Sequence, residues 1–316
     1  MSANLSSEKQ TVKIGTRGSR LALVQAEGIA AQLKAAHPDK TIETEIRVIS
    51  TLGDRSQKEN RALSEIGGKG LFTLEIEEQL TSGEIDLAVH SSKDMPTTLP
   101  QGLDLVCFTE REDPSDAFIS QIAKTPADLP QGAILGSASL RRRALMLRLR
   151  PDLKPIMFRG NVDTRLQKIK DGVADATLLA VAGLKRLGMQ DAITSVIPLE
   201  DFPPAPGQGA VCIEAKDDNQ TILDLLSPLN HHETRVALMA ERAFLGELDG
   251  SCRTPIAAHA VIDGEKLSFH GLILSPDGTQ CHECRMEGET TAPEEIGTQA
   301  GVRLKKEAGT GFFESW

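Results

Sequence analysis

The sequence has no tyrosine, a single tryptophan, and aromatic residues make up only 3% of it. So few rings leave little for nucleic-acid bases to stack on. Positive charge is also in deficit: 35 Lys and Arg against 45 Asp and Glu give a formal net charge of -10, which argues against nucleic acid as the main partner. Long apolar runs are missing. No stretch approaches the roughly 18 uninterrupted apolar residues of a membrane span, and Met1 to Gln10 carry no apolar signal core. The expectation is a cytoplasmic protein with neither a membrane nor a nucleic-acid partner. Cysteine is scarce, odd in number and scattered: Cys107, Cys212, Cys252, Cys281 and Cys284. That distribution argues against a disulfide framework. Cys281-x-x-Cys284 is one half of a zinc ribbon without the other, so no metal is expected.

What is present reads as a globular chain: 316 residues, 40% hydrophobic and 25% charged, enough for two or three cored domains. Val12-Lys13-Ile14-Gly15 reads as a strand, Thr16 to Arg20 as a turn, and Ser19 as the N-cap of a helix through Leu23, Ile29 and Leu33 that His37-Pro38 ends. Ile42, Thr44, Ile46 and Val48 alternate as a second strand. A polar stretch from 54 to 65 reads as a mobile lid. Gly67-Gly68-Lys69-Gly70 follows, then a helix with an apolar face of Leu71, Phe72, Leu74, Ile76 and Leu80. The strand Ile85 to Val89 empties into His90-Ser91-Ser92-Lys93-Asp94-Met95-Pro96. Ligands in open α/β sheets bind beyond the carboxyl ends of strands, so this polar bend is a candidate site. Ser and Asp are also ordinary turn residues.

A second strand-helix rhythm begins after Arg111 to Ser115. Strands end successively at Ser137-Ala138-Ser139, at Arg159-Gly160-Asn161, and before Gly183-Leu184-Lys185-Arg186, and Phe202 to Gly207 closes the region. Arg17, Arg141, Arg142, Arg159, Arg165 and Arg186 fall at or beyond strand-to-helix turns, where helix N-termini add unpaired N–H groups and positive dipole. This pattern selects anions. Guanidinium forks match carboxylates bidentately, and phosphate satisfies the pattern equally well. Gly67 to Gly70 lacks the spacing of a Walker loop. From Asn230 onward, a helix, three strand-like runs and a late helix suggest a small α+β tail.

Taken together, Gly15-Thr16-Arg17-Gly18-Ser19, Gly67 to Phe72, Val89 to Pro96, Ser139-Leu140-Arg141-Arg142, Arg159 to Leu166, Ala182 to Leu187 and Pro206 to Ala210 resemble the porphobilinogen deaminase (hydroxymethylbilane synthase) family from Val12 to about Thr254. The resemblance implies an α/β fold of two periplasmic-binding-protein-like lobes of type II around a cleft, plus a smaller C-terminal α+β domain. The expected boundaries are 12–110 with 208–228 for the first lobe, 115–203 for the second, and 231–316 for the tail. It implies a transferase of haem biosynthesis that condenses four porphobilinogen molecules on a dipyrromethane primer, releases ammonia, and hydrolyses off linear hydroxymethylbilane. A monomer is expected. The alternative is a non-catalytic bilobal anion-binding protein.

Residue by residue, the resemblance places Asp94 as the catalytic aspartate and Cys252 as the thioether anchor of the dipyrromethane cofactor. Lys93, Ser139, Arg141 and Arg142 fall on cofactor-binding positions. Arg17, Ser19, Lys69, Ser91, Arg159, Arg165 and Arg186 fall on substrate-binding positions. Each pyrrole carries two carboxylates, and loss of ammonia leaves a ring-conjugated cation. Arginines therefore suit the chain, and an aspartate suits the cation. Two positions depart from the family pattern: Ser251 stands where many members have glycine, and Arg20 where many have proline.

Overall fold

The computed structural model describes residues 10–58, 72–248, 255–309 and 311–314. The chain forms two compact units, one of residues 1–110 with 211–232 and the other of 111–210 with 233–316. In chain order the strands are β1 (Gln10–Arg17), β2 (Ile42–Ile49), β3 (Leu87–Ser91), β4 (Leu103–Phe108), β5 (Asp116–Ser120), β6 (Ile134–Gly136), β7 (Lys154–Ile156), β8 (Ala176–Ala180), β9 (Ser195–Val196), β10 (Val211–Lys216), β11 (Ile256–Asp263), β12 (Lys266–Leu274) and β13 (Cys281–Glu289).

In the first unit the five-stranded sheet runs β2-β1-β3-β10-β4. β1, β2 and β3 are parallel, and β10 is antiparallel to both its neighbours. Both faces are covered, as a largely parallel sheet requires. Val12, Ile14, Leu87, Val89 and Ile213 pack with Ile29 and Leu33 of the helix Arg20–Ala36. On the other face Ala88 packs with Ile76 and Leu80 of the helix Leu74–Ser82. Leu74 is 53% exposed, contrary to the apolar face read from the sequence. At 100° per residue it stands about 200° from Ile76, so it points away from the sheet.

The second unit repeats the pattern. Its first sheet runs β7-β6-β8-β5-β9, with β6, β7 and β8 parallel and β5 antiparallel to both neighbours. Each five-stranded sheet thus has the order second, first, third, inserted antiparallel strand, fourth. β5 and β9 escaped the sequence reading because each is short and lacks an alternating pattern. The antiparallel sheet β11-β12-β13 packs on the helices His232–Glu247 and Pro293–Ala308 through Phe244, Phe269, Ile273 and Ala300. The rings of Phe244 and Phe269 meet edge to face, with centroids 5.1 Å apart. The architecture is therefore α/β, with two doubly covered sheets of one topology and a smaller C-terminal α+β element.

Candidate functional site

In the first unit, the carboxyl ends of β1 and β3 lie side by side because the two strands are parallel neighbours. β1 ends at Arg17, and Gly18-Ser19 leads directly into the helix Arg20–Ala36. Ser19 caps that helix, its Oγ accepting from the Ala22 N–H at 3.2 Å. β3 ends at Ser91, and the chain turns through a single 3₁₀ turn, Ser92–Asp94. These ends form a pocket of ≈ 70 Å³ whose wall includes Arg17, Ser19, Gln25, Phe72, Ser91 and Asp94. Four sequence-selected residues, Arg17, Ser19, Ser91 and Asp94, thus share one pocket. Lys93 is exposed beside it and does not line it.

The Asp94 carboxylate is 41% exposed, and its Oδ2 lies 3.8 Å from Arg17 Nη1. Asp54, which the sequence reading missed, takes the other edge of the same guanidinium: Arg17 Nε donates at 3.2 Å and Nη2 at 2.5 Å. The Phe72 ring lies 4.1 Å from the guanidinium carbon, a cation–π contact. Burial pushes the Asp54 carboxyl up, but hydrogen bonding and charge from Arg17, aided by Thr51, outweigh it and hold the group below its usual range. Ser91 Oγ lies 3.1 and 3.2 Å from the two ends of the Gln25 amide. Asp54 and Gln25 sit inside a polar stretch and an amphipathic helix, respectively, where nothing in the sequence marks them out.

In the second unit three helices start from the carboxyl ends of the adjacent parallel strands β7, β6 and β8. Ser139 Oγ accepts from the Arg142 N–H to cap the helix Leu140–Leu149. Asn161 Oδ1 accepts from the Thr164 N–H at 2.8 Å to cap Val162–Lys170. Gly160 turns the chain between β7 and that helix at φ 128°, a conformation reserved for glycine.

The guanidinium groups of Arg141 and Arg142 are buried on one aspartate. Asp116 accepts from Arg141 Nη2 at 2.7 Å and from Arg142 Nη2 at 2.6 Å. Arg141 Nη1 donates to the Pro203 carbonyl, and Arg142 Nη1 to that of Leu178. Burial pushes the Asp116 carboxyl up, but the two arginine charges outweigh it and hold it far below the carboxylate range. The only sequence signal for Asp116 is an acid at the head of the apolar run Ala117-Phe118-Ile119.

Arg165 Nε donates to the Gly160 carbonyl at 2.7 Å, and Arg159 is half-buried in the same turn. Arg186 lies in the last turn of the helix Val181–Arg186, not at its start, and its Nη2 donates to the Gly209 carbonyl at 2.7 Å. Burial lowers the Arg186 guanidinium from its usual value. Lys69, Cys252 and residues 59 to 65 of the expected lid lie outside the described residues.

Two family models match the chain. One, described as porphobilinogen deaminase, dipyromethane cofactor binding domain, covers residues 12–224. The other, porphobilinogen deaminase, C-terminal domain, covers 236–306. The chain belongs to the porphobilinogen deaminase family. A porphobilinogen deaminase from Nitrobacter hamburgensis is 52% identical over 300 residues, spanning 95% of this chain and 94% of that protein. Among solved structures, a putative methionine-binding lipoprotein from Bacillus subtilis matches at 12% identity over 70% of this chain and 90% of its own, with a TM-score of 0.45. A nutrient binding protein from Burkholderia cenocepacia bound to methionine matches at 15% identity over 68% and 90%, with a TM-score of 0.42.

Membership makes the chain a transferase of porphyrin biosynthesis that carries a dipyrromethane cofactor. The donors of the second unit suit such a group. Arg141 and Arg142 share the single charge of Asp116, which leaves one positive charge in excess, and the buried Nε of Arg141 and of Arg143 have no acceptor. Carboxylate-bearing rings fit that donor set. No helix among the described residues is long and apolar enough to cross a membrane.

Proposed function

We infer that the chain condenses four porphobilinogen molecules head to tail on its dipyrromethane primer, with loss of one ammonia per unit, and then hydrolyses off linear hydroxymethylbilane. The observation that carries this reading is the half-exposed Asp94 carboxylate in a pocket walled by Arg17, Ser19 and Ser91, in a chain of the porphobilinogen deaminase family.

Bound through a thioether to Cys252, the cofactor would supply a covalent primer. Lys93, Ser139, Arg141 and Arg142 would hold its carboxylates. Arg17, Ser19, Lys69, Ser91, Arg159, Arg165 and Arg186 hold the acetate and propionate arms of incoming rings. When the aminomethyl arm of porphobilinogen leaves as ammonia, the remaining positive charge is stabilised by Asp94. After the carbon–carbon bond forms, the ring proton passes to the Asp94 carboxylate, restoring aromaticity, and leaves on ammonia or water. Three domains, at 12–110 with 208–228, 115–203 and 231–316, divide these tasks. The protein works as a cytoplasmic monomer.

The test is incubation of the purified protein with porphobilinogen, scored for ammonia and a linear tetrapyrrole, with intact-mass spectrometry of the resting protein. The expected results are both products, a two-pyrrole mass increment in wild type, and no increment in Cys252→Ser. Asp94→Asn should keep the fold and the increment while losing a hundredfold or more in turnover, a magnitude typical of removing one transition-state contact. Normal turnover in that variant removes Asp94 from the chemistry.

A further inference from the structure

Asp94 presents negative charge to the cationic centre of the reaction, yet a guanidinium stands beside it. The 3.8 Å between Arg17 Nη1 and Asp94 Oδ2 is too long for a hydrogen bond. Arg17 is held by other groups. Asp54 accepts from Nε and Nη2 along one edge, and Phe72 covers a face. Asp54 is itself fixed, because Thr51 Oγ1 donates to its Oδ2 at 2.9 Å and its own N–H donates to Thr51 Oγ1 at 3.3 Å.

Arg17 contributes one positive charge, and Asp54 and Asp94 contribute two negative ones, so the trio is net negative. His90, the other titratable residue of the pocket wall, lies 3.0 Å from the Glu214 carboxylate, and Lys93 is exposed at the rim. A guanidinium freed from Asp54 needs to move only about 1 Å to reach hydrogen-bonding range of Asp94.

We propose that Asp54 is a positioning residue that sets the charge of the pocket: by occupying one edge of Arg17 it keeps the guanidinium out of hydrogen-bonding range of Asp94, so that their contact stays a looser ion pair and the carboxylate's lone pairs are left for the cationic centre of the reaction. This rests on the catalytic reading of Asp94. Asp54 touches no reacting atom. Its effect passes entirely through Arg17, and this gives the proposal a sign that a purely structural role lacks.

The experiment combines a crystal structure of the Asp54→Asn holoenzyme with steady-state kinetics of that variant, of Asp54→Glu, and of the double variant Asp54→Asn/Arg17→Gln. In Asp54→Asn the Arg17–Asp94 separation should contract to hydrogen-bond length, and kcat should fall roughly tenfold, less than the hundredfold or more of losing the contact outright because the Asp94 carboxylate stays in place. Asp54→Glu should restore most of kcat. The double variant should be faster in kcat than Asp54→Asn, with a higher KM because a carboxylate-binding arginine is gone. An unchanged separation in Asp54→Asn, or a double variant no faster than the single one, overturns the proposal. The separation is read without substrate, so its outcome stands apart from the fate of the catalytic reading.

Discussion

His90 Nε2 lies 3.0 Å from Glu214 Oε2, and both side chains are buried. The contact ties β3 to β10 on the sheet face covered by the helix Leu74–Ser82, four residues before Asp94. Either side chain alone would leave its partner buried without its hydrogen bond. His90→Ala or Glu214→Ala should therefore cost about 3 kcal/mol or more in unfolding free energy by urea titration, with Glu214→Gln costing less because an amide still reaches the ring. A cost below 1 kcal/mol for both alanine variants would mean that the contact contributes nothing net.

Asp116 makes the fold sensitive to acid. Its carboxyl titrates far below the usual range in the folded protein because Arg141 and Arg142 hold the anion, and near 3.8 when the chain is open. A depressed folded value contributes stability that is complete above the unfolded value and fades as pH falls through and below it. Wild type should lose stability steeply below about pH 4, and Asp116→Asn, already less stable at neutral pH by about 3–5 kcal/mol, should show a flatter acid limb. Chemical denaturation at a series of pH values measures both.

Glu77 carries the opposite sign. Burial raises its carboxyl above the ordinary 4.5 despite the Thr73 hydroxyl, and its Oε1 has no hydrogen-bond partner. A raised folded value costs stability as pH rises past the unfolded value, since the anion must then be buried. Glu77→Gln should therefore be more stable than wild type at neutral pH, with the difference vanishing below about pH 4. Thermal melting at the two pH values distinguishes this from a pH-independent packing effect.

Two glycines rank by what surrounds them. At Gly209, with φ 92°, an added Cβ would strike the Glu112 carbonyl oxygen, which is backbone and cannot rotate away. At Gly160 it would meet Cγ2 and Cβ of Thr164 at the longer distances of 2.7 and 2.8 Å, and of these only the Cγ2 can rotate away. Both alanine variants carry the left-handed penalty, about 1–3 kcal/mol. Gly209→Ala should lower Tm further than Gly160→Ala, and the reverse order would show that the Glu112 segment shifts readily.

The sequence speaks most clearly where local chemistry decides structure. Ser19 and Ser139 are legible as caps because a hydroxyl before an apolar helix serves the orphan N–H groups there. Asp94 is legible because an apolar strand runs into a polar bend, and parallel sheets place such bends together. Asp54, Gln25 and Asp116 are silent because their partners lie 37, 66 and 25 residues away, and only the tertiary fold brings the pairs into contact. The arginine pattern was legible as a set but not in its division. Arg141 and Arg142 carry the same one-letter signal as an exposed basic helix face, yet their burial follows from an aspartate that no local rule connects to them.

The insertion of β10 between β3 and β4 has a consequence for how the protein is made. On the ribosome, β1 to β4 are complete long before Val211 emerges, since roughly a hundred residues separate Phe108 from β10. Until then two strand edges that the finished sheet buries stand open, and closing them demands a loop whose entropy must be met before any ladder bond forms. A ribosome-stalled chain ending before residue 211 should therefore present an unfinished, aggregation-prone half, and chaperone capture belongs to that interval of synthesis rather than to the finished enzyme.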